Sequence, residues 1–134
     1  MCRVRNRAKI RRYIGTAMDR PTWVLNEAEW HANCQAIVSA AQALIGGGAG
    51  VIESARTLCR LAYSVRDQKD ESFVFFTGVN SESDALPISK ERENWSPKAL
   101  ERQDILIHEF EKIWRSRAIT QAERLIDRYR ISLS

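Results

Sequence analysis

Residues 30–52 of this 134-residue chain, Trp30 to Ile52, contain no Asp, Glu, Lys or Arg. A charge-free stretch of that length is long enough to cross a bilayer as one helix. Its interior argues otherwise. Asn33, Gln35, Ser39 and Gln42 are polar, and Gly46-Gly47-Gly48-Ala49-Gly50 would break a spanning helix at its middle. The pattern instead predicts two helices joined by a glycine turn, and no membrane span.

The first of these starts near Asn26, which with Glu29 forms a capping-box pattern after Pro21-Thr22-Trp23. Trp30, Cys34, Ile37, Ala41 and Leu44 are spaced 4-3-4-3 and make one apolar stripe. The second runs from about Ala49 to Val65, with Val51, Ala55, Leu58, Ala62 and Val65 on its stripe. Alanines in both stripes let the helices approach closely as a hairpin. Ser96-Pro97 is a helix start, and apolar positions from Leu100 to Tyr129 predict one long helix over 97–131, or two with a bend near 116–119. Between hairpin and long helix, Ser72-Phe73-Val74-Phe75-Phe76-Thr77 is aromatic and β-branched, which predicts a strand, with Leu86-Pro87-Ile88 as a possible edge partner. Residues 78–96 are then a polar loop. The expected fold is mainly α: a small helical bundle of a helix hairpin and a long C-terminal helix, with a minor β-strand or hairpin element.

At 15.4 kDa the chain has room for one core, and 44% hydrophobic with 28% charged residues is ordinary for a globular protein. Three cysteines, Cys2, Cys34 and Cys59, are too few for a disulfide framework and point to a reducing, cytoplasmic setting. The net charge of +4 is unevenly placed. Residues 1–20 hold seven basic residues and one acid, while residues 21–134 hold 14 basic and 16 acidic residues. A flexible basic leader of residues 1–20 therefore precedes a slightly acidic helical domain of residues 21–134. The leader would attract phosphate without regard to sequence, so nucleic acid is a partner only through it. It is either a solvated tail or a segment upstream of a second possible start at Met18, and it lacks the apolar region of a secretory signal.

Candidate chemistry is thin. The glycine run lacks the Gly-Lys-Ser/Thr ending of a phosphate loop and follows a helix. His31 and Cys34 have a ligand-like spacing that Cys59 and His108 would have to complete, but Cys34 lies on an apolar stripe, where a cysteine packs as a small core residue. The same burial makes either thiol a poor nucleophile. Glu53, Glu109 and Glu111 sit on helix faces of mixed charge, and Glu53 is spaced to pair with Arg56 and Arg60. No catalytic residue, metal or cofactor is assigned. A small enzyme using Glu53, Arg56 and His108 in a cleft between helices is the alternative.

The segment after the expected strand is the best candidate site. Two readings stand side by side: a structural one, in which Leu86, Ile88 and Trp95 anchor the loop and Arg92 pairs with Glu82 or Asp84, and a recognition one. In the second, Glu82, Asp84, Arg92 and Trp95 are the expected partner-binding residues, since loops on rigid scaffolds carry recognition and Trp and Arg are favoured anchors. Asp84 or Glu82, Arg92 and Trp95 are expected to act as one unit. Arg92 would reach back to an acid across Pro87, and Trp95 would be buried as a staple beside Leu100.

These residues also carry a resemblance. Gly50-Val51-Ile52-Glu53 with Ala55-Arg56 and Leu58, then Phe73 to Phe76, then Ser81-Glu82-x-Asp84-x-Leu86-Pro87 with Arg92 and Trp95-Ser96, resemble a family of small bacterial proteins of uncharacterised role over residues 26–128. Small acidic helical proteins of this style are similar to the immunity proteins that accompany bacterial toxins. The resemblance implies a non-catalytic inhibitor whose partner is a cognate toxin, and it brings no catalytic residues with it.

Overall fold

A computed structural model describes residues 21–130, so the basic leader, its expected flexibility and its phosphate affinity lie outside the described residues. The elements are α1 (Glu27–Ile45), α2 (Val51–Ser64), α3 (Glu71–Glu82), a 3₁₀ helix (Ser89–Asn94) and α4 (Pro97–Arg130). α1 and α2 form the expected hairpin. The Asn26 side chain caps α1 by accepting the Glu29 N–H at 3.0 Å. Gly47 has a φ of +83°, the left-handed backbone that a side chain resists, and there the chain turns into α2. Both predicted stripes are buried: Trp30, Cys34, Ile37, Ala41 and Leu44 on α1, and Val51, Ala55, Leu58, Ala62 and, just past its end, Val65 on α2. α4 packs chiefly on α1, and α2 chiefly on α3. One core joins all four helices, with Phe73, Phe76, Val79, Ala118, Ala122, Leu125 and Tyr129 completing it.

The strand is not there. Residues 72–77 are helical, and no strand occurs among the described residues. Asp70 caps α3 by accepting the Ser72 N–H at 3.0 Å, and Phe73, Phe76 and Val79 then fall on one buried face at spacings of three. Tertiary burial along that face overrides the β preference of the aromatic run. The helix continues through Glu82, which shortens the expected polar loop by its first turn.

α4 is one continuous helix, about 51 Å at 1.5 Å per residue. Ser96 caps it as expected, its Oγ accepting the Ala99 N–H at 3.1 Å. The predicted stripe is buried only in the second half, from Ala118 onward. Two side chains one turn apart on α4 hold the hairpin turn. The Glu111 carboxylate accepts the N–H groups of Val51 (2.6 Å) and Ile52 (3.0 Å), and Arg115 donates to the Leu44 carbonyl at 3.1 Å. An acid thus meets the positive end of α2 and a base the negative end of α1. Gly50 leaves room for this: a β-carbon there would stand 3.1 Å from Glu111 Oε2. Glu111 is therefore a cap and no solvent-facing acid.

Candidate partner-binding surface

Residues 83–96 form a fastened bridge between α3 and α4. Ser83 is fully buried and its Oγ donates to the Val79 carbonyl at 2.8 Å, closing α3. The Leu86 N–H returns to the Ser83 carbonyl at 3.0 Å, and the Pro87 side chain packs inward. Arg56 of α2 then grips the segment, donating to Glu91 Oε1 at 2.6 Å and to the Leu86 carbonyl at 3.2 Å. Glu91 also accepts the Ile88 N–H at 3.1 Å and so starts the 3₁₀ helix. Its carboxyl is held below the ordinary range by the Arg56 and Ile88 donors. Arg56 accordingly pairs across to Glu91, and the intrahelical pairing expected with Glu53 does not form.

Arg92, near the end of the 3₁₀ helix, donates to both carboxylate oxygens of Asp104, at 2.7 and 3.0 Å. That bidentate pair lowers the Asp104 carboxyl and raises the guanidinium, each through the same hydrogen bonds. The expected unit of Asp84, Arg92 and Trp95 is thereby corrected. Arg92 reaches forward to α4, and Asp84 and Glu82, both exposed to solvent, have no ion pair among the described residues. Trp95 is 37% exposed, so it does not seal the junction as a buried staple. Chain order explains the swap. Asp104 lies two turns into a helix whose start Ser96 has fixed, a better-ordered acceptor than the exposed turn at Asp84.

A cavity of about 400 Å³ opens between α2 and this bridge, lined by Glu53, Arg56, Thr57, Ile88, Ser89, Lys90 and Glu91. His108 does not line it and is exposed on α4. The structure thus brings Glu53 and Arg56 to one cavity but does not bring His108 to them. No group of three His, Cys, Asp or Glu side chains suited to a metal occurs among the described residues. Cys34 is buried and its thiol is pushed up to about 12 by burial and by the nearby Asp67 charge. Cys59, raised by burial, donates to Thr77 Oγ1 at 3.6 Å. Both thiols are held in the unreactive protonated form.

Comparison of the chain with family models, curated proteins and solved structures finds no match. The fold defines an α-helical bundle, and no helix among the described residues is long and apolar enough to cross a membrane.

Proposed function

We propose that the chain is a non-catalytic protein-binding module of the immunity type, which neutralises a bacterial toxin by covering its active surface. The observation that carries this reading is the bridge itself. Two carboxylates that make no ion pair among the described residues, Glu82 at the end of α3 and Asp84 just past it, and the partly exposed indole of Trp95 frame a segment that Arg56 and Arg92 fasten to two helices. A segment ordered in advance loses little freedom on binding. Free carboxylates select a basic partner and speed encounter with it, and an indole supplies apolar anchorage at the centre of a contact. The net charge of −2 over residues 21–134 acts in the same direction. A toxin whose active surface is basic fits this chemistry. In this reading Glu82, Asp84 and Trp95 touch the partner, and Arg92 holds their segment in place.

The test is co-expression with the protein encoded by the neighbouring gene, followed by titration calorimetry on the purified pair. The chain should restore growth of cells expressing that protein and bind it with an affinity that falls as salt rises. Replacing Glu82 and Asp84 together by lysine should weaken binding at least a hundredfold with helicity unchanged. Growth rescue that survives this double replacement would remove the bridge from the mechanism, and absence of a complex would refute the reading.

A further inference from the structure

None of the residues from Pro97 to Arg117 is buried, although this stretch is more than half of α4. It is not a uniformly polar helix. Leu106 is 53% exposed, Ile113 is 63% exposed and Phe110 is half-buried, and their spacing of four and three places them on one stripe. The stripe continues into Trp114, whose ring meets Phe75 of α3 at 5.9 Å and Phe110 at 5.8 Å. Contiguous apolar surface of this kind marks an interaction site.

The charges along its edge identify the occupant. Arg102 and Glu109 lie two turns apart on the same side of the stripe, carry opposite signs, and make no ion pair among the described residues. Such an edge is complementary to itself when reversed. We propose that this face of α4 is a homodimer interface, in which two copies pair antiparallel about a two-fold axis close to Leu106. That register sets Leu106 against its own copy, Ile113 against the partner's Ala99, and Arg102 level with the partner's Phe110 and one residue from the partner's Glu109, within reach of its long side chain. By symmetry every contact off the axis is made twice. Ala99 is small, which lets the two helices approach closely. With three or four large apolar side chains per copy the contact is at the small end of specific interfaces, so association is weak and reversible. This face is distinct from the bridge of residues 83–96, and the dimer stands or falls independently of the toxin reading.

Sedimentation velocity of the full chain from about 5 to 500 µM tests it. A concentration-dependent shift from monomer to dimer is expected, abolished by replacing Leu106 and Ile113 together with glutamate. Arg102→Glu and Glu109→Arg should each weaken the dimer about tenfold, because each reversal places like charges together at two symmetric positions. The double reversal should restore it to within about twofold of the original. All four positions are exposed, so circular dichroism should show the helical content unchanged throughout. A monomer at the highest concentration overturns the proposal. So does a dimer that persists in the double-glutamate variant, or one whose affinity the single reversals leave unchanged or the double reversal fails to restore.

Discussion

Two arginine–aspartate pairs tie α4 to the rest of the molecule, one near each end, and their geometry is nearly the same. Arg128 donates to Asp67 at 2.7 and 3.0 Å, and Arg92 donates to Asp104 at 2.7 and 3.0 Å. Their surroundings differ. The Asp67 side chain is 16% exposed and also accepts the Tyr129 hydroxyl at 2.6 Å, whereas Asp104 is 50% exposed and serves Arg92 alone. At the buried pair, desolvation opposes the Arg128 charge, yet Asp67 and Asp70 together still raise its pKa. The Tyr129 phenol is pushed up by burial first and by the Asp67 charge second. Removing Asp67 leaves the buried Tyr129 hydroxyl without its acceptor and the part-buried Arg128 guanidinium with Asp70 alone; removing Asp104 returns an exposed guanidinium to water. Equal hydrogen-bond lengths therefore do not mean equal worth.

The largest effect is expected at the buried end. Asp67→Ala removes the acceptor of the buried Tyr129 hydroxyl and the bidentate partner of Arg128, and should cost about 2–3 kcal/mol in urea unfolding. A cost below about 1 kcal/mol would show that Asp70, whose Oδ1 is 3.7 Å from Arg128 Nε, takes over the role. Next comes the clasp on the hairpin turn. Glu111→Ala strips two N–H groups at the start of α2 of their acceptor and should cost about 1–3 kcal/mol. Gly50→Ala should lose part of the same energy by pressing on the carboxylate. The double variant should then fall short of the sum of the two.

Alkaline pH probes the same buried end. Cys34 ionises near 9 in an unfolded chain but only at about 12 in the folded one. A group raised in this way contributes stability that is complete below pH 9 and is lost between pH 9 and 12. Unfolding free energy should therefore fall by about 1.4 kcal/mol from pH 8 to pH 10 through this thiol. Cys34→Ala should remove that share of the slope. Equal slopes in the two proteins would place the titration elsewhere.

The same contrast explains what could be read from the chain before its structure. The hairpin and α4 were legible because their stripes repeat at helical spacing next to unambiguous caps: Trp30 to Leu44 after Asn26, and the long run after Ser96. α3 was not. Val74, Phe75 and Thr77 favour strands locally, and the deciding signals were the Asp70 cap and the spacing of Phe73, Phe76 and Val79. Those signals were present, but the β-rich residues between them masked the period. The polar partnerships were hidden for another reason. Arg56 and Arg92 each had several carboxylates within plausible reach, and only the packed chain selects Glu91 and Asp104. Glu111 is 60 residues from the N–H group it caps, and no local pattern marks such a pairing. Glu82 belongs to the end of α3, and the contacts expected among Asp84, Arg92 and Trp95 were not the ones formed.

The smallest effect on stability belongs to the exposed pair, and there the comparison becomes most informative. Asp104→Ala leaves the Arg92 guanidinium free to take up water, so the melting temperature should not move measurably. The pair instead fixes one conformation of the bridge. Arg92 also reaches the Pro87 carbonyl at 3.5 Å, and the Trp95 N–H closes onto the Arg92 carbonyl at 3.1 Å. Releasing Arg92 thus loosens the segment that displays Glu82, Asp84 and Trp95, without touching the core. Hydrogen exchange should accelerate at the amides of Glu91 and Trp95 and remain unchanged across α1 and α2. Falling pH should reproduce the variant, because the Asp104 carboxyl, held below its ordinary value by Arg92, keeps the pair intact above that value and releases it as protonation sets in. If Asp104→Ala instead leaves exchange at Glu91 and Trp95 unchanged yet lowers the melting temperature as Asp67→Ala does, the exposed pair carries stability after all, and the distinction between the two ends of α4 fails.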